Sequence, residues 1–463
     1  MTIYFKETAL GATLSASMLW TGPVLADASA DSAAPLRQQM QDLQRQIQQQ
    51  KHQIQSQQQQ IQKLEKRVHS RNNKKSGESS TTEVATTSAN KKKQKPKKSL
   101  HIGGILTEQY QIKNKQQNNA TGGNTTQGVF AINAHGRYKN LTFGLEQRFS
   151  QNSFADTTFL RYGWAALSFG TNDNQQVKAG LFQVPFGNLR YGYQTFWGNL
   201  GYFAGFTDNQ AAGVGYKYES GGWRFDLDFF KDDDLGQHSL YGSNPFEGYN
   251  QLNGGNARIA YTFNKGHDNN VQVSVAGRGG QLAVGGNNAN GTHWAGTAAI
   301  DAKLGQWTLQ GQFVDYKYNI PDGKTTDDNS ALGEGTQVLP SDSITVENYG
   351  FGYQIPSEGQ LYTANIARTF PLDIGPISNI QFYNNYGYLH AGSGDYDSRG
   401  NRIGDVQFNA AGFVLSSGPL LFYFDVLSGK NAAMAFNGGN DGDWHTRYNF
   451  AIGLYFGGDV LSN

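Results

Sequence analysis

In the segment 223–229, Trp223, Phe225, Leu227 and Phe229 alternate with Arg224, Asp226 and Asp228. Successive side chains of an extended strand point to opposite faces, so this segment has one apolar face and one polar face. Val271, Val273 and Val275 alternate in the same way with Gln272, Ser274 and Ala276. Trp294, Ala298, Ile300 and Leu304 share a parity opposite to Thr297, Asp301 and Lys303. Near the C-terminus, Tyr448, Phe450, Ile452, Leu454 and Phe456 alternate with Arg447, Asn449, Ala451 and Gly453. The pattern recurs through residues 99–456 with no helical stretch between segments. Beyond the extreme N-terminus there is no run of about eighteen uncharged apolar residues, so membrane-spanning helices are excluded. A soluble sandwich also alternates, with its polar face outward. Aromatic residues at the strand ends, where interfacial girdles sit, favour the opposite arrangement: an apolar face toward lipid and a polar face toward a lumen. An aromatic share of 13% and 58 glycines suit such a barrel, and the absence of cysteine excludes disulfides, thiol catalysis and cysteine metal sites.

Connections fall into two lengths, as expected of a membrane barrel. The short ones include 138–140, 170–174, 219–221 and 416–419. The long ones include 184–210, 231–253, 317–343, 389–404 and 429–443. Alternating segments number about seventeen, and single-chain bacterial barrels close with an even number. The expected fold class is therefore all-β, a sixteen-stranded antiparallel transmembrane barrel with eighteen strands as the fallback. The count is weakest over 344–376.

Three further regions precede the barrel, which is assigned to 99–463. Residues 1–26 read as a signal peptide, with Lys6 in the n-region, an apolar stretch to Leu25 and a cut after Ala26. The alternative is an ordinary N-terminal helix. Residues 27–70 read as an α-helical coiled-coil extension. Met40, Ile47, Ile54, Ile61 and Val68 recur every seventh position, with Leu36, Leu43, Gln50, Gln57 and Leu64 at the alternate spacing. The competing reading is a disordered glutamine-rich tract. Residues 71–98 are a basic linker with nothing apolar to bury. Residues 1–98 carry a net charge of +9 and residues 99–463 a net charge of −8. The export signal argues against nucleic acid as the partner of the lysines, and makes anionic surfaces of the cell envelope the better neighbour.

The run Val177-Lys178-Ala179-Gly180-Leu181-Phe182-Gln183-Val184-Pro185-Phe186-Gly187 resembles the phosphate-selective porins of the outer membrane, in which a strand of this pattern leads into a loop that folds into the pore. The coiled-coil N-terminus resembles the dicarboxylate-type porins of that broad group and also the sucrose porins. The resemblance implies a water-filled homotrimeric channel in the outer membrane, its extension in the periplasm. It would pass small hydrophilic solutes, including anions such as dicarboxylates or phosphate. Two features depart from the family. The chain continues for seven residues after Phe456, and no dense arginine ladder is visible.

Loop 184–210 is the expected pore constriction, through Arg190, Tyr191, Tyr193, Trp197, Tyr202 and Asp208. So many rings do not stay solvated in a loose loop. They serve either as anchors or as a stacking surface for planar solutes such as sugar rings, with Arg190 as a fixed positive charge. Arg148, Lys178, Arg224, Arg258, Arg278 and Lys303 have inward parity and are expected to line the lumen, opposed by Glu146, Asp226, Asp228 and Asp301. No HExxH, GxSxG or P-loop spacing occurs, so neither catalysis nor a cofactor is expected. The remaining alternatives are a sugar-selective porin, or a structural tether joining the outer membrane to the periplasmic wall.

Overall fold

The computed structural model describes residues 98–113, 122–151, 156–189, 193–233, 249–284, 291–322, 341–348, 351–392, 404–432 and 441–462. The signal peptide, coiled coil and nearly all of the linker lie outside these residues, as do Arg190 and Tyr191.

The first half of the barrel comprises β1 (Lys98–Lys113), β2 (Asn124–Tyr138), β3 (Leu141–Gln151), β4 (Asp156–Phe169), β5 (Gln175–Gln183), β6 (Gln210–Ser220), β7 (Trp223–Asp232) and β8 (Tyr249–Phe263). The second half comprises β9 (Asn270–Val284), β10 (Gly291–Leu304), β11 (Trp307–Asn319), β14 (Glu358–Ile374), β15 (Ile377–Ala391), β16 (Val406–Ser417), β17 (Leu420–Lys430) and β18 (Trp444–Ser462). Each strand pairs antiparallel with the next, and β1 pairs with β18 to close a sixteen-stranded barrel. Two further strands, β12 (Ser343–Asn348) and β13 (Phe351–Pro356), pair only with each other inside the β11–β14 connection. They explain why the alternating segments outnumber the barrel strands, and why the count is weakest at 344–376.

The connections after β2, β4, β6, β8, β10, β14 and β16 are all short and share one end of the barrel with the start of β1 and the end of β18, while the long connections lie at the other end. The residues after Phe456 are no tail. β18 continues to Ser462, with Leu461 opposite Leu100 and Asp459 opposite His101, whose Nδ1 lies 3.0 Å from the carboxylate.

The alternation resolves as a lipid face and a lumen face. Phe143, Leu145, Leu227, Phe229, Val275, Phe382 and Phe450 project outward and are exposed, while their neighbours Asp226, Asp228, Ser274 and Asn449 are buried inside. An apolar surface running around the whole barrel belongs in lipid. At the short-connection end it is edged by Phe169, Trp223, Phe263 and Trp307, and toward the other end by Trp294, Tyr362, Tyr386 and Trp444. Arg368 lies over the rings of Trp307 and Phe370, at 4.9 and 4.5 Å. Its charge rests on aromatic faces at the membrane border. The chain is a membrane-spanning β-barrel.

Candidate functional site: the loop-narrowed lumen

The chain leaves β5 at Gln183 and returns at Gln210, and in between it crosses the barrel interior. Pro185 ends the ladder because it has no N–H to donate. Its carbonyl accepts a bond from Asn256 Nδ2 of β8, at 3.1 Å. Gly187 follows with φ +65°, and a Cβ there would meet the Gln312 side chain of β11 at 2.4 Å. Only glycine allows both the left-handed turn and this close approach. Asn188 then donates from its backbone N–H to Gln312 Oε1 (3.2 Å) and from Nδ2 to the carbonyl of Gly311 (3.1 Å).

Farther on, the backbone N–H of Gln194 donates to Asn385 of β15 at 3.0 Å, and its Nε2 to Gln310 of β11 at 2.8 Å. Asn199 caps a helical turn, α1 (Leu200–Phe203), by accepting from the N–H of Tyr202 at 2.9 Å. The turn seats against β15 at Gly387, where a Cβ would meet Leu200 Cβ at 2.4 Å. Gly387→Val should therefore lift the turn from the wall and destabilise the loop by about 1–3 kcal/mol, the usual range for overpacking. The expected result is an intact barrel with noisier single-channel current and faster proteolysis within 189–205. An unchanged trace and digestion pattern would contradict this seating.

Phe186, Leu200, Tyr202, Phe203 and Phe206 are buried and share one apolar cluster with inward residues from β4 to β17. Phe203 packs edge-on to Phe408 at 5.6 Å, and Phe206 lies 4.8 Å from Tyr316. Most rings of the loop are thus anchors. Tyr193, half-buried, meets Tyr202 edge-on at 5.1 Å, and the Arg447 guanidinium covers Trp197 at 3.7 Å. The stacking surface offered by sequence shrinks accordingly.

The lumen charges divide by wall. Arg258 donates to the carbonyl of Gly187 at 3.3 Å. Arg278 donates to that of Gly205 at 3.2 Å and lies 4.9 Å from the rings of both Phe186 and Phe206. These two hold the loop. Arg148, Lys178 and Arg224 stand on β3, β5 and β7, which the loop leaves more open. Lys178 lies 4.3 Å over the Trp164 ring and borders a cavity of about 250 Å³ shared with Lys217, Arg224, Asp226 and Asp228. Lys303 is exposed near the short-connection end of β10, and Asp301 accepts from Gln310 Nε2 at 3.4 Å.

The acids do not face the bases across the lumen, as the sequence suggested. They pair with bases beside them. Arg148 Nε lies 2.6 Å from Glu146, and Arg224 Nη2 lies 2.8 Å from Asp226, both two residues apart on one strand. Asp208, at the end of the loop, accepts from Arg161 at 2.6 Å, and Arg161 also reaches Glu146 at 3.4 Å. Asp228 accepts from Asn256 at 2.9 Å.

No known protein family and no curated protein matches this chain. Solved structures similar to it include the anion-selective porin from Comamonas acidovorans, at 15% identity over 78% of this chain and 100% of that one, TM-score 0.48. The outer membrane channel DcaP of Acinetobacter baumannii is similar at 11% identity over 78% and 97%, TM-score 0.48. Salmonella typhi OmpF in complex with daunomycin is similar at 12% identity over 78% and 98%, TM-score 0.48.

Sequence reasoning missed Arg161, which simple parity from Leu167 turns outward. The β3–β4 register slips between Glu146 and Gln147, leaving Arg161 as the extra residue of a bulge. A bulge re-aims side chains, and here it places Arg161 between Glu146 and Asp208. Arg447 was read only as the polar partner of an alternating strand, and its ring contact is decided by the loop path. Among the described residues, no group of three His, Asp or Glu side chains is arranged to hold a metal ion.

Proposed function

We propose that the protein is a porin of the bacterial outer membrane that passes small hydrophilic solutes by diffusion and prefers anions. The observation that carries this reading is the uneven exposure of the lumen charges. Among the ion pairs of the β3–β7 wall, the side chains of Arg148, Arg161 and Arg224 retain 12%, 10% and 29% of their surface, while at the short-connection end Arg137 and Lys217, at 21% and 32%, share the water with Asp173 and Glu219, at 37% and 35%. Glu146, Asp208 and Asp226 retain 4%, 8% and 2%. At mid-wall, beside the loop, water therefore meets more guanidinium than carboxylate surface, although residues 99–463 as a whole are acidic. Fixed charge at a narrow aqueous passage sets ion preference. Carboxylates and phosphate esters are the solutes such a wall favours, with guanidinium groups offering paired donors.

Strand β1 begins at the short-connection end, which faces the periplasm in single-chain bacterial barrels. The coiled coil of 27–70 and the basic linker belong in the periplasm in this reading, and a homotrimer is proposed with it. Reversal potential in a KCl gradient across a planar bilayer tests the central claim. A potential displaced toward the chloride equilibrium value is expected. Displacement toward potassium, or a silent barrel, would sink it.

A further inference from the structure

The β11–β14 connection contains the hairpin of β12 and β13, which pair from Ser343↔Pro356 to Asn348↔Phe351. A hairpin lying on a surface has one wet face, so buried and exposed residues alternate along it. Here Ser343, Ile344, Thr345 and Val346 are buried in succession, and so are Ile355, Pro356 and Ser357. Burial of both parities requires packing on both faces of the hairpin. The hydroxyl of Tyr249 on β8 donates to the Ser343 carbonyl at 3.3 Å, and that of Tyr316 on β11 to the Pro356 carbonyl at 3.0 Å. The helical turn of the pore loop touches β12 as well.

Ile344, Val346 and Ile355 join Leu200, Phe203 and Phe206 of the loop in one apolar cluster. The same cluster takes in Phe230, Val284, Tyr318, Leu389, Val406 and Leu427, which stand at the long-connection ends of β7, β9, β11, β15, β16 and β17. An isolated two-stranded hairpin is marginal in water. This one is held by what it fills, and what it fills is part of the barrel mouth.

We propose that hairpin β12–β13 is a second pore-restricting segment. With segments 184–189 and 193–209 of the pore loop it narrows the outer mouth, anchored on Tyr249 of β8 and Tyr316 of β11, and solutes pass beside the two segments. Size exclusion is then set by two segments jointly. The inference rests on the porin reading above and adds to it which part of the chain selects by size.

The test replaces 344–355 with a short Gly-Ser linker and records the variant beside the full-length protein in planar bilayers, with polyethylene glycols of graded size as neutral probes. Both proteins are first checked for heat-modifiable mobility. A full-length channel whose conductance roughly doubles on replacement, and which then admits larger polymers, is the expected result. A folded variant with unchanged conductance and cutoff overturns the hairpin's role and leaves the porin reading standing. A silent full-length protein whose variant conducts supports the hairpin as the restricting segment and overturns the open-pore reading. Silence of both overturns both. Should the replacement fail to fold, the cysteine-free chain allows a milder probe. Ile344→Cys in intact full-length protein should resist a membrane-impermeant maleimide while Lys217→Cys reacts. Rapid labelling of Ile344→Cys overturns the proposal.

Discussion

Excision of residues 189–205 from the pore loop is expected to raise single-channel conductance several-fold. Flow through a barrel is limited by its narrowest section, and this loop crosses the section at mid-wall, tied to Gln310, Gln312 and Asn385. Its removal exposes the amides that now hold it, so the widened lumen stays hydrophilic and conducting. Burial of Leu200, Tyr202 and Phe203 gives the excised segment a share in the stability of the mouth. The variant should therefore also unfold at lower temperature. Unchanged conductance in a folded variant would show that the loop does not limit flow, and the hairpin would become the main constriction.

Asp226→Ala should lower stability by about 3–5 kcal/mol, the range for breaking a buried ion pair by removing one partner. The Asp226 carboxylate is gripped by Arg224 Nε at 2.9 Å, and Arg258 Nη1 stands 3.7 Å away. Arg258 is only 1% exposed, so loss of the carboxylate leaves its charge without compensation in a dry site. Arg258 also donates to the Gly187 carbonyl, and through it the damage should reach the loop. Denaturant unfolding in detergent, with conductance of the surviving fraction, measures both effects. A change below about 1 kcal/mol would mean that solvent or another group already shares the charge of Arg258. Asp226→Asn should cost less, since it keeps an acceptor for the guanidinium.

Much of the barrel was legible because the side-chain period of a strand is two. Trp223, Phe225, Leu227 and Phe229 have only one way to lie together, and the aromatic residues at the strand ends show that their common face is the outer one. The dense rings of 184–206 likewise announce a packed loop, since that much apolar surface does not stay in water. The expected strand number held, because surplus alternation in 343–356 belongs to a hairpin that obeys the same local rule without joining the wall.

Sequence by itself thus determined the barrel, its two faces, the tight turns at one end and the inward turn after Gln183. Tertiary structure alone decided which charges remain open to the pore. Parity puts Arg148, Arg258 and Arg278 in one class, but the loop path separates them, sealing Arg258 at 1% exposure and leaving Arg148 at 12% beside Glu146. Parity also turns Arg161 outward, and a single bulge in the β3–β4 ladder brings it in. The physical reason is that facing is a property of neighbours along a strand. Pairing and burial depend on register between strands and on the long-range route of a loop, and nothing in local sequence periodicity encodes either.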